Sequence, residues 1–158
     1  MNLPSQIAKH LRDVYFGNNW TAVNLKNTVA DINWQQATTK VQNFNTIAVL
    51  VYHTNYFIDV VLQVLQGEPL NAHDKYSFDL PPVESQQDWE NLLNKTWTEA
   101  ERLACLTEQL PESKLDEVFI HEKYGNYLRN LFGIIEHTHY HLGQITLIKK
   151  MILLPDDN

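Results

Sequence analysis

Cysteine occurs once, at Cys105, so no disulfide can form within the chain. The residue falls in a helical apolar pattern with Leu103 and Leu106 and reads as a small core side chain, since free cysteine is more often buried than reactive. Long hydrophobic runs are also missing. The longest uninterrupted apolar stretch is Ile47 to Tyr52, far short of the ~20 residues that cross a bilayer. Positive charge is scarce: 12 Lys and Arg stand against 19 Asp and Glu, the net charge is −7 with His neutral, and the densest basic point is Lys149-Lys150. Such a surface repels phosphate backbones and offers no polybasic anchor, so neither nucleic acid nor a membrane is an expected partner. The opening MNLPSQIAKHLRD lacks the apolar core of a secretory signal, and the expected location is cytoplasmic. With five glycines, no glycine-rich phosphate loop is visible, nor is a βαβ rhythm.

The chain does have ample apolar content for one core. Its 158 residues, 44% of them hydrophobic, read as a single domain over 1–158. The apolar period is helical nearly throughout. Leu3, Ile7, Leu11 and Val14 form one stripe, with Pro4 in the first turn, and Gly17-Asn18-Asn19 breaks it. Ala22, Leu25, Val29 and Ile32 form a shorter one, and the polar stretch 35–43 reads as a connection. The dense apolar segment 44–66 is too long for a strand and stops at Gly67 and Pro69. Residues 67–84 show no period and read as a long surface loop. Ser85 with Asp88 resembles an N-cap and its acidic partner, opening an amphipathic helix carried by Trp89, Leu92, Thr96, Leu103 and Ala104 to about Leu110. The last helix runs from about Tyr124 to Leu153, closed by Pro155. The expectation is all-α: a four-helix bundle with helices near 4–16, 44–66, 85–110 and 124–153, plus an extra short helix near 20–31 after the first.

The histidines carry the chemistry. EHTHYHLGQI in the last helix puts His137 and His141 four residues apart, on one face with Cβ atoms ~6 Å apart. Chance supplies roughly 0.3 such pairs in a chain with this many histidines, so the spacing alone decides nothing. Two features add to it. His137 and His141 share their face with Asn130, Gly133, Gln144 and Ile148. His53 sits among Val49, Leu50, Tyr56, Phe57 and Val60, where an unsatisfied polar group costs ~1–3 kcal/mol. A bonded core histidine is the plain alternative for His53, and a half-exposed polar pair for the other two. Together, one inward histidine plus an i, i+4 pair makes a three-nitrogen site with one coordination position left open, the pattern of catalytic zinc. His139 is expected to point away. Thr138 occupies the position where H-E-x-x-H would place its glutamate, so a metalloprotease base is missing, and Glu136 turns ~100° from the first ligand. Trp20 and Asn24 at the cavity mouth, and His73, Asp74 and Asp79 at its rim, are weaker candidates that packing or surface exposure, and a solvated loop, explain better. His10 and His121 read as polar surface. No protein nucleophile is apparent.

LVYHTNYF in the second long helix, HTHYHLGQI in the last and YFGNNWTAVNL after the first resemble the DinB-like (DinB/YfiT) superfamily of metal-binding four-helix bundles over nearly the whole chain. The H-x-x-x-H-x-G-Q ending is the specific part. The resemblance implies His53, His137 and His141 as ligands of a divalent ion, zinc or nickel, and often a homodimer. It implies a small-molecule substrate used with a low-molecular-weight thiol by an S-transferase, with a metal-dependent hydrolase as the alternative. A non-catalytic ligand-binding or assembly module, its metal structural or absent, stays open beside both.

Overall fold

Each α-helix starts at a side-chain oxygen that accepts from the amide three residues on: Asn2 from Ser5, Asn24 from Asn27, Asn33 from Gln36, Thr46 from Val49, Ser85 from Asp88 and Asn126 from Arg129. These caps satisfy amides that the first turn leaves without a partner. In the computed structural model, which describes residues 1–154, they open α1 (Leu3–Phe16), α2 (Leu25–Val29), α3 (Trp34–Thr38), α4 (Ile47–Leu65), α5 (Gln86–Glu108) and α6 (Tyr127–Leu153). No strand occurs among the described residues, and the all-α expectation holds. Pro155, expected to close α6, lies outside them.

α1 packs on α5, α5 on α4, α4 on α6 and α6 on α1, which closes a ring of four long helices. Consecutive α1 and α4 are therefore diagonal, and so are α5 and α6. A diagonal step needs a long crossover. The first crossover carries α2, which rests on α1 and α6, and α3, which rests on α4 and α5.

Three helix starts and one further helix depart most from the sequence reading, each for a local reason. α4 and α6 begin three residues later than expected because Thr46 and Asn126 are the caps, and Gly125 before the latter has φ 75°. α2 begins only at Leu25, since Ala22 sits at φ 57° in a turn and Asn24 is the cap. The stretch 35–43 is not merely a connection: Asn33 and Gln36 form a capping box that starts α3, and Ala37 is fully buried. The stop of α4 agrees with expectation. Gly67 takes φ 86°, its amide reaches Val64 O, and that of Glu68 reaches Gln63 O, the pair of bonds of a Schellman end.

Ile7, Leu11 and Tyr15 from α1, Leu50 and Ile58 from α4, Trp89 and Leu103 from α5, and Leu131 and Ile145 from α6 fill the centre. Burying a side chain of this size contributes about 1.5–3 kcal/mol. Several polar groups inside the core are paired across elements, whereas Asn55 Oδ1 and Thr107 Oγ1 are buried without a partner. Trp89 Nε1 donates to Ile32 O at 2.8 Å, tying α5 to the crossover. Thr138 gives its proton to Ile134 O and so accepts from Tyr15 OH at 3.2 Å, joining α1 to α6. Ile47–Leu65 has the length and mean hydropathy, 1.4, of a membrane span, yet it carries His53, Asn55 and Asp59 and 61% of it is buried within the bundle. Its apolarity is that of a core helix. Cys105 departs from expectation: it is half-buried at the α1–α5 seam, with Sγ 3.4 Å from Arg12 Nη2 and from Glu101 Oε1. Arg12 reaches across to Glu101 and Glu108 at that seam and keeps the thiol at its edge.

Candidate metal centre

α4 and α6 are neighbours in the ring, so the inward face of each looks at the other. His53 rises from the middle of α4, and His137 and His141 stand one turn apart on α6. Their Nε2 atoms converge: His53 to His137 is 3.0 Å, and His137 to His141 is 3.0 Å. One ligand atom from each ring lies within 4.8 Å of the others. His53 and His141 are buried and His137 is half-buried.

Two of the three tautomers follow from hydrogen bonding. Ser77 Oγ gives its own proton to Asp74 O at 2.6 Å, so it accepts from His53 Nδ1 at 2.9 Å. The amide oxygen of Gln144 accepts from His141 Nδ1 at 2.7 Å. With Nδ1 protonated in both rings, both Nε2 atoms present lone pairs to one point. This is the outer support that metal-binding imidazoles usually have. His137 is the exception, since its Nδ1 is buried without a partner.

Aromatic rings close the sides. Phe78 lies flat on His53, centroids 4.0 Å apart and planes 15° apart. Phe57 stands edge-on to both His53 and His137, at 5.2 and 5.0 Å. Burial is the main reason all three imidazoles resist protonation. His137 is pushed down furthest, to about 4, by burial first and then by His141 and His53, while Asp74 pulls the other way. All three rings are thus neutral at neutral pH, the form that binds metal.

The donor set fits a divalent cation. Ligands on a tetrahedral ion with ~2.0–2.1 Å bonds lie roughly 3.3–3.4 Å apart; two of the separations here are 3.0 Å, and all three ligand atoms lie within 4.8 Å of one another. A proton on His137 Nε2 satisfies one of the two facing lone pairs, and a cation would satisfy both. Three imidazoles suit zinc and nickel alike. Beside His137 opens a cavity of about 440 Å³, lined by Phe57, Val61, Asp74, Arg129 and Gly133 among others.

The structure brings together the three histidines that the sequence singled out, and His139 does turn away. It lines a separate hollow with Thr21 and Gly143 and lies near His10. Trp20 is fully exposed, and Asn24 is buried as the cap of α2. His10 is exposed, and exposed His121 accepts from Lys123 N. His73, Asp74 and Asp79 are all exposed, and Asp74 also lines the cavity. The loop 67–84 is more than surface: Tyr56 OH bonds both the amide and the carbonyl of His73, and Ser77 is fully buried. Ser77 left no trace in the sequence, because nothing there places it against His53. Gln144 did leave one, three residues beyond His141 on the same face.

A family model described as the DinB superfamily matches residues 18–145. No curated protein and no solved structure matches the chain significantly.

Proposed function

The chain belongs to the DinB superfamily, and on that premise we propose that it is a metal-dependent enzyme that transfers the sulfur of a low-molecular-weight thiol to a small electrophile. The observation that carries this reading is the convergence of three Nε2 atoms, two of them with tautomers set by Ser77 and Gln144. His53, His137 and His141 would hold the ion, zinc or nickel. When bound, a divalent ion with an open position supplies the Lewis acidity that lowers the pKa of a thiol or a water.

The chain's own residues supply the rest. Ser77 and Gln144 hold two rings in one orientation, so the donor set needs little rearrangement to bind. Phe57 and Phe78 pack against the imidazoles and keep bulk water from them. The cavity beside His137 gives an electrophile access from one side. The alkylation balances without an oxidant: the thiol proton leaves to solvent, a sulfur–carbon bond forms, and the leaving group departs with its bonding pair.

Asp74 supports a second reading. This carboxylate lines the same cavity and its charge acts on His53 and His137. It is positioned to serve as base for a water, which favours metal-dependent hydrolysis. Zinc- and nickel-loaded protein, assayed on alkyl electrophiles with several small thiols and on esters without thiol, separates the two. Thiol-dependent turnover that disappears in His141→Ala supports transfer. Thiol-independent ester cleavage lost in the same variant, and in Asp74→Asn, supports hydrolysis. Absence of both, in protein that binds no metal, leaves a non-catalytic module.

A further inference from the structure

Arg129, Gly133, His137 and His141 occupy successive turns of α6, at i, i+4, i+8 and i+12, and so share one face. The first three line the same cavity. Its walls are otherwise mostly apolar, from Phe57, Val61 and Ile134 among others. Arg129 makes no ion pair among the described residues, so its guanidinium is free to take an anionic partner.

Gly133 sits inside a long helix, where glycine is less stable than alanine. It is not forced by backbone or by a close neighbour: a Cβ built there meets no atom within 4 Å. What the missing side chain leaves is space in the cavity, between the guanidinium and the histidines. The ends of that space differ in charge. Arg129 is the basic side chain of the cavity lining, and a thiolate filling the open position of a bound ion would keep a ligand's carboxylate off that ion, which leaves the carboxylate to Arg129.

We propose that this cavity is the subsite for the electrophile and selects an apolar chain ending in a single carboxylate, which Arg129 holds while the reacting carbon lies by the histidines. The selectivity rests on the transfer reading above, but the binding site does not require it. Eight residues of helix separate Arg129 from His137, a rise of about 12 Å. The Arg129 stem lies back over Gly125, so an acid needs a chain of at least about six carbons to bring its far carbon from Arg129 towards the histidines. In the transfer, the ω-carbon of such an acid forms the bond to sulfur as its bond to a halide breaks. The halide takes the bonding pair and the thiol proton goes to solvent, while the carboxylate is unchanged.

Binding and turnover are measured separately. Hexanoate and hexan-1-ol are titrated into metal-free and zinc-loaded protein by NMR, following the backbone amides of Gly133 and Ile134. Hexanoate should bind more tightly than the alcohol. Arg129→Gln should weaken hexanoate about tenfold, the loss of one charge-assisted contact, and leave the alcohol unchanged. Gly133→Leu should weaken both, and zinc content should stay at the wild-type level in both variants. Turnover of 6-bromohexanoate and its methyl ester with a small thiol then tests the reaction, and the acid should be preferred until Arg129 is replaced. Equal binding of acid and alcohol, or hexanoate affinity unaffected by Arg129→Gln, overturns the subsite even if S-transfer occurs. Arg129-dependent hexanoate binding without any thiol turnover upholds the subsite and refutes the transfer reading alone.

Discussion

Ser77 and His53 are 24 residues apart in the chain and 2.9 Å apart in space. The hydroxyl is fully buried and its proton is committed to Asp74 O, so its role toward the imidazole is to accept. That one contact sets which nitrogen of His53 is free, and it couples the loop between α4 and α5 to the metal centre.

Removing it should cost metal affinity more than stability. Ser77→Ala leaves His53 Nδ1 without its acceptor, and losses of this kind weaken metal binding roughly 10–100-fold. The fold should lose only about 1 kcal/mol, one neutral hydrogen bond. Competition with a chelator of known affinity, alongside urea unfolding of metal-free protein, separates the two effects. Unchanged zinc affinity would mean that the hydroxyl does not orient the ring.

Phase along α6 gives a sharper comparison. His141→Ala removes one of three converging nitrogens and should abolish stoichiometric zinc or nickel loading. His139→Ala lies two residues away on another face and should leave metal content nearly unchanged. Elemental analysis of both purified variants decides it, and equal loss would contradict the convergence.

Acid should destabilise the metal-free protein over a defined window. All three imidazoles are harder to protonate folded than unfolded, chiefly through burial. The unfolded chain titrates near ~6.5, whereas folded His137 titrates at about 4. Between these values the unfolded state binds more protons, so stability rises with pH there. It is fully present above ~6.5 and is lost as pH falls towards 4. Thermal unfolding of chelator-treated protein at fixed ionic strength should show the midpoint dropping from pH 7 to pH 5. The histidine-dependent part of that drop should shrink in His137→Ala.

Gly133→Ala should stabilise the protein. The position is inside α6 and the added methyl meets nothing within 4 Å. The gain should be about 0.5–1 kcal/mol, or roughly 1–4 °C in Tm for a chain of this size. Differential scanning calorimetry checks it. A fall in Tm would mean that the space over Gly133 is smaller than the structure shows.

Much of the fold was legible in local pattern. Four long helices follow from apolar residues repeating every three to four positions, and Gly67 ends α4 by a backbone conformation that glycine adopts freely. Boundaries slipped where an asparagine or threonine cap lay inside an apolar stretch, as at Thr46. α3 was missed because five residues are too few to show a period, although its Asn33–Gln36 capping box was there to read.

The i, i+4 spacing of His137 and His141 and the apolar setting of His53 are properties of the sequence, because a helix converts spacing into direction without help from the rest of the chain. Their convergence was inferable only once both helices were assumed to face one interior. What the tertiary structure alone decided is everything that crosses elements. It seats Ser77 under His53, lays Phe78 on that ring, brings Asp74 to the cavity and leaves Arg129 facing the same space as His137. The loop 67–84 has no periodicity to betray its inward residues, and its path is set by long-range contacts such as Tyr56 OH on the backbone of His73. Local pattern encodes which way a helical side chain points; only packing determines what it meets there.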